Sequence, residues 1–170
     1  EKKETITGVP SGFDELDRLT SGFQPSDLNV IAGRPSIGKT SLVLNVAQHA
    51  ALKAKVPSAF FSLEMSKEQL VMRMLTSLAK VDSSRLRIGQ LKDRDWPKLT
   101  KAAGQLSEAP IFIDDSPLLS VLEVRAKCRR LKVEHKLGLV VIDYLQLMRS
   151  HTKTESREKE ISDISRGLKA

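Results

Sequence analysis

Cysteine, long apolar runs and repeated segments are scarce or missing in this chain, and each scarcity narrows what it can be. One cysteine, Cys128, stands among 170 residues, so no internal disulfide can form. No second thiol or nearby histidine in the sequence completes a zinc site around it, and its expected role is that of a buried apolar side chain. No apolar run approaches the roughly 18 residues that span a bilayer. The opening stretch, EKKETITGVP, lacks the apolar segment of a secretory signal. A cytoplasmic chain without a membrane partner is therefore expected. There is no internal repeat and no low-complexity tract, which leaves an ordinary globular domain as the default.

What is present fits that default. Apolar residues make up 40% of the chain, and 170 residues suffice for one domain with a sizeable core. Lysine and arginine exceed aspartate and glutamate by 28 to 21, a formal charge of +7. Such a balance suits a polyanionic partner such as nucleic acid, although charge excess bears on solubility and non-specific binding before it bears on function.

Four short apolar runs, LNVIA at 28–32, AFFSL at 59–63, IFI at 111–113 and LVVI at 139–142, have the composition of strands buried on both faces. Between them apolar residues recur at helical spacing: Leu42, Val46 and Leu52; Leu70, Met74 and Leu78; Trp96, Leu99, Ala103 and Leu106; Val124, Cys128 and Leu131. Ser11 with Asp14, Ser66 with Gln69 and Ser120 with Glu123 have the spacing of capping boxes at helix starts. Alternating strands and helices predict an α/β fold: a mostly parallel sheet, helices on both faces, and a ligand site beyond the carboxyl ends of the strands. The polar stretch at 150–159, SHTKTESREK, is expected to be a surface loop. Ile161, Ile164 and Leu168 then begin another helix, and the chain reaches Ala170 with no following strand, so the sheet is expected to be incomplete at its carboxyl-terminal end.

Gly33, Arg34, Pro35, Ser36, Ile37, Gly38, Lys39 and Thr40 match G-x-x-x-x-G-K-[ST], with Ser41 following, after an expected strand and at the start of an expected helix. Glycine lets the backbone turn tightly against phosphate oxygens, and the N–H groups at the helix start meet negative charge. Lys39 would reach the terminal phosphates of ATP and the Thr40 hydroxyl would ligate Mg2+. A carboxylate for the metal's water shell is expected at the end of a neighbouring buried strand. Asp143 fits best, and Asp114, which is followed by Asp115 and could instead cap a turn, competes. Glu64, just after AFFSL, is placed to orient or deprotonate an attacking water. It is equally suited to favour the dipole of the helix after Ser66. Gln146 could sense phosphate, with a backbone hydrogen bond the plainer role.

In order and spacing, TGVPSGFDELDRLTSGFQPSDLNVIAGRPSIGKTS, FFSLEMS, IFIDDSP, RAKCRRLK and VVIDYLQLM resemble the ATPase domain of the bacterial replicative DNA helicases, the DnaB family, from about Thr5 to Ala170. RecA, the RadA repair proteins and the circadian-clock ATPase share the phosphate loop and the TG…GFDELD entry. The combination of RPSIGKT, SLEMS and DYLQLM points to the helicase. The resemblance implies a RecA-like P-loop NTPase fold, a homo-hexameric ring, and ATP hydrolysis with Mg2+ that drives 5′-to-3′ translocation on single-stranded DNA. Primase and a helicase loader are the implied protein partners. Lys39 and Thr40 match the phosphate and Mg2+ positions, Glu64 the catalytic base, and Asp143 the metal-associated aspartate.

The 150–159 stretch would face the ring's channel, with Arg149, Lys153, Arg157 and Lys159 tracking DNA phosphates; the alternative is a solvated loop. The basic run Arg125, Lys127, Arg129, Arg130 and Lys132 is expected to be a solvated helix face. Residues 1–170 are expected to form one fragment of the ATPase domain. The amino-terminal domain, an arginine finger, a phosphate-sensing glutamine and a second DNA-binding loop are expected outside them, and the chain by itself is expected to be close to inactive. An ATP-binding assembly module and a recombination or repair ATPase are the competing readings.

Overall fold

The computed structural model describes residues 6–149 and 156–169. Seven α-helices and three strands follow one another as α1 (Asp14–Thr20), α2 (Lys39–Leu52), β1 (Ser58–Ser62), α3 (Lys67–Ala79), α4 (Ser83–Arg87), α5 (Trp96–Ser107), β2 (Ile111–Asp114), α6 (Val121–His135), β3 (Leu139–Asp143) and α7 (Arg157–Lys169) among the described residues. The strands form a parallel sheet in the order β2-β1-β3. Ser58 lies opposite both Ile111 and Leu139, and Ser62 lies opposite Asp143.

Parallel strands need long crossovers, and here the chain steps from β1 to β2 in one direction and back past β1 to β3 in the other. With crossovers of one hand, that reversal puts the connecting helices on opposite faces of the sheet. The side chains of β1 show the result. All five residues of β1 are buried, so its composition is apolar throughout instead of alternating. Phe60 packs with Leu44 and Ala47 of α2 and with Leu70 and Met74 of α3. Ala59 and Phe61 pack on the other face with Val121 and Val124 of α6 and Ile164 of α7. A third cluster, Ala79, Val81, Leu99 and Ala102, joins α3 to α5.

Two of the expected capping boxes close. Ser66 accepts from Gln69 N at the start of α3, and Ser120 accepts from Glu123 N at the start of α6, each with the reciprocal bond. The third does not. The cap of α1 is Phe13, and Ser11 is drawn inward, where its N–H donates to the buried Asp17 carboxylate (2.7 Å), with Gly12 N adding a second bond (3.2 Å). A buried carboxylate takes the N–H groups of Ser11 and Gly12, and the Ser11 hydroxyl accepts from Phe13 N (3.1 Å) instead of capping the first turn.

Two further expectations are corrected. Residues 28–32 are not a strand: Leu28, Val30 and Ile31 are 39%, 75% and 40% exposed. Composition gives a segment β propensity, but a strand exists only with a ladder partner. A cleft lined by both 28–32 and 139–142 lies along this run, and β1 is flanked by β2 and β3 and not by it. The second correction concerns 150–159. Its described part is not loop, because α7 begins at Arg157. Ser156 caps it, accepting from Lys159 N through its hydroxyl, and Glu158 and Glu160 complement the helix dipole in the first turn. Residues 150–155, with Lys153, lie outside the described residues.

Candidate nucleotide site

The site is built where the loop after 28–32 enters α2. Gly38 is the cap residue and adopts φ 99°, ψ 20°, a left-handed conformation that favours glycine. The N–H groups that follow open the first turn of α2, where an α-helix supplies them no acceptor of its own. An anion is their natural partner. Lys39 folds back over the loop, its Nζ donating to the carbonyls of Gly33 (2.8 Å) and Arg34 (3.0 Å). Among the described residues it makes no ion pair, so no carboxylate competes with an incoming phosphate for it.

Thr40, one residue further on, donates from Oγ1 to Oδ2 of Asp143 at 2.6 Å, across 103 positions of sequence. Asp143 is 6% exposed and ends β3, so the sheet delivers its carboxylate to the first turn of α2. Leu63 N donates to the Asp143 carbonyl (2.9 Å), which ties the chain just before Glu64 to the same strand end. Glu64 is exposed, and it lines a cleft of about 1780 Å³ together with Gly33, Lys39, Thr40, Asp143 and Gln146. Arg34, Pro35, Ser36, Ile37 and Ser41 complete the loop, with Ser36 at φ 62°.

The donor set fits a nucleotide with Mg2+. No cluster of three or more His, Cys, Asp or Glu side chains exists among the described residues to cage a metal. One hydroxyl and one carboxylate at the mouth of a phosphate loop are what Mg2+ takes when phosphates and water fill its other positions. Asp114, the competing acid, is engaged elsewhere: Lys127 Nζ donates to its Oδ2 (2.5 Å) and Ser116 N to its Oδ1 (3.0 Å). Burial pushes the Asp114 carboxyl up, but these bonds outweigh burial and hold it below its ordinary value. Asp115, unassigned by its sequence context, accepts from Lys67 N at the start of α3 (2.9 Å). Its place directly after a strand was the only signal available.

The basic residues of the carboxyl-terminal part are dispersed. Arg149 is exposed, and its N–H donates to the Leu119 carbonyl. Arg157 and Lys159 stand on the first turn of α7, with Arg157 paired to Glu160 and to the Gln146 carbonyl. On α6, Lys127 is taken by Asp114, Lys132 by the Leu137 carbonyl and Arg130 by Glu134. No helix among the described residues is long and apolar enough to cross a membrane.

Comparison with known proteins identifies the family and the fold. The family model for the DnaB-like helicase C terminal domain matches residues 8–170. The replicative DNA helicase DnaB of Geobacillus stearothermophilus is 56% identical over 166 residues, covering 97% of this chain and 37% of the relative. The replicative DNA helicase DnaC of Bacillus subtilis is 52% identical over 170 residues, 99% of this chain and 37% of the relative. The chain thus spans little more than a third of the length of these relatives. Among solved structures, a DnaB-like replicative helicase, studied with its interactions with primase, superposes with a TM-score of 0.93 at 36% identity, covering 97% of this chain and 40% of that one. A second solved structure, of an ATPase domain, superposes with a TM-score of 0.93 at 35% identity, covering 99% and 60%. An α/β sheet with a phosphate loop at its carboxyl edge, matched over nearly its whole length, makes this chain a member of the DnaB-like helicase C-terminal domain family.

Proposed function

We propose that residues 1–170 belong to the ATP-hydrolysing motor of a cytoplasmic replicative DNA helicase, one ATPase unit of a homo-hexameric ring that translocates on single-stranded DNA. The observation that carries this reading is the 2.6 Å bond from Thr40 to Asp143, which joins the phosphate loop to a strand end beside Glu64. Lys39 exchanges the carbonyls of Gly33 and Arg34 for the terminal phosphates, and the N–H groups at the start of α2 hold the others. Thr40 and Asp143 would hold Mg2+ and its water, and the ion would supply neutralisation of charge on the phosphates. Glu64, in the open cleft, orients the attacking water and accepts its proton. Arg149 and Lys159 make no ion pair among the described residues and are the stronger candidates for DNA phosphates; Arg157 is held by Glu160. Lys153, outside the described residues, is proposed with them as a DNA contact from its sequence position alone. Primase and a loader are the proposed protein partners, in keeping with the primase interactions studied for one structural relative.

The test is steady-state ATP hydrolysis by the full-length protein, with and without single-stranded DNA, beside its Glu64→Gln variant. Stimulation by DNA in the wild type and its loss in the variant, with nucleotide binding retained, is the expected result. Turnover indifferent to DNA would point to an ATP-driven assembly module in place of a motor.

A further inference from the structure

The turn that carries Glu64 is held far more tightly than a surface turn needs to be. Ser62, the last residue of β1 and 1% exposed, donates from its hydroxyl to the Met65 carbonyl (2.7 Å) and accepts from Met65 N (3.1 Å). Those two bonds close a ring around Leu63 and Glu64. The neighbours of Glu64 are pinned on opposite faces of the sheet: Leu63 packs against the cluster of α6 and α7, and Met65 against the cluster of α2 and α3. A second clamp comes from the end of β2, where the half-buried Asp115 accepts from Lys67 N, 48 positions away in sequence. Through Lys67 the exit from the turn is tied to β2, while Leu63 N ties its entry to the Asp143 carbonyl on β3. Glu64 itself makes no hydrogen bond or ion pair among the described residues; its backbone is fixed while its carboxylate is left free in the cleft.

We infer that Ser62 and Asp115 are positioning residues for Glu64, holding its carboxylate at the height of the phosphate loop without touching nucleotide. The inference rests on the reading of Glu64 as the base. A group that must meet a water within hydrogen-bond reach loses rate steeply when displaced, on the order of a hundredfold for 1 Å. The capping box of Ser66 and Gln69 secures the helix that follows, so loss of either clamp would free the turn while α3 remains formed.

The experiment uses the full-length protein and measures kcat and KM for ATP, nucleotide affinity and thermal midpoint. Variants are Ser62→Ala, Asp115→Ala, Asp115→Asn and Glu64→Gln, with each clamp variant also combined with Glu64→Gln. Both alanine variants are expected to lower kcat by about ten- to a hundredfold with KM and nucleotide affinity within about twofold. Asp115→Asn keeps an acceptor oxygen and is expected to recover most of the rate. Neither clamp substitution should lower the rate further once Glu64→Gln is in place, because a residue acting through Glu64 has nothing left to position. Should buried Ser62→Ala fail to fold, the two variants of half-buried Asp115 decide alone. Wild-type kcat in Asp115→Ala, or a loss that adds to that of Glu64→Gln, overturns the inference. Wild-type turnover in Glu64→Gln overturns instead the reading of Glu64 beneath it.

Discussion

Gly38 and Gly104 invite the same substitution with opposite results. A Cβ built on either would meet no other atom of the chain within 4 Å, so neither glycine makes room for a neighbouring part of the protein. Gly38 sits at φ 99°, ψ 20°, whereas Gly104 is an exposed residue inside α5. An L side chain in left-handed backbone costs about 1–2 kcal/mol. Gly38→Ala therefore either bears that cost in stability or turns the peptide at the start of α2 and moves N–H groups off the phosphate position. If the loop regains its conformation only on binding, the same energy appears as roughly 5- to 30-fold weaker nucleotide affinity. Gly104→Ala removes backbone freedom from the unfolded chain and adds a good helix former, stabilising by about 0.5–1 kcal/mol. Urea midpoints and titration with a fluorescent ATP analogue, both on the full-length protein, read the two effects. Equal affinity and stability in Gly38→Ala and wild type would refute the assignment of that glycine to backbone conformation, and a destabilised Gly104→Ala would refute the reasoning that ranks the pair.

Phe60→Ala, at a side chain that is 0% exposed in the central strand, should cost about 3–5 kcal/mol by chemical denaturation; a loss under about 1 kcal/mol would mean that the two-faced core is not as described. The Asp114–Lys127 pair should make stability depend on acid. Since the native carboxyl is held below its ordinary value of about 3.9, its contribution is complete above that value and is lost as pH falls through the depressed one. The stability gap between wild type and Asp114→Asn, about 1 kcal/mol at neutral pH, should thus close in strong acid, and a gap unchanged there would contradict the pairing. Burial pushes the Cys128 thiol up to about 11, so at mildly alkaline pH native Cys128 should be alkylated on the order of a hundredfold more slowly than in urea. Equal rates would show the thiol to be open.

How far the sequence discloses this molecule depends on whether a feature is local. The helices of Leu70, Met74 and Leu78 and of Val124, Cys128 and Leu131 announce themselves by period, and the boxes at Ser66 and Ser120 mark their starts, because each needs only neighbours within one turn. The run at 28–32 has the same apolar character as β1 yet forms no strand, since pairing is a property of two segments and composition reports on one. Ser11 shows the same limit: its spacing to Asp14 suits a capping box, but Asp17 folds back from within α1 and claims its N–H. The phosphate loop is legible as a motif because its chemistry lies in consecutive residues, whereas between Asp143 and Asp114 the sequence yields a preference for Asp143 and no contact that explains it. Both end apolar strands; only the third dimension turns Asp114 toward Lys127 and Asp143 toward Thr40. The clamp on the Glu64 turn lies deeper still. Ser62 and Met65 are three residues apart and could have been guessed, but Asp115 reaches Lys67 only because β2 pairs in register with β1, Phe61 opposite Asp114, so that the residue after one strand meets the helix start after the other. Register, which no single segment encodes, is what turns a spare acidic residue into a support for the site.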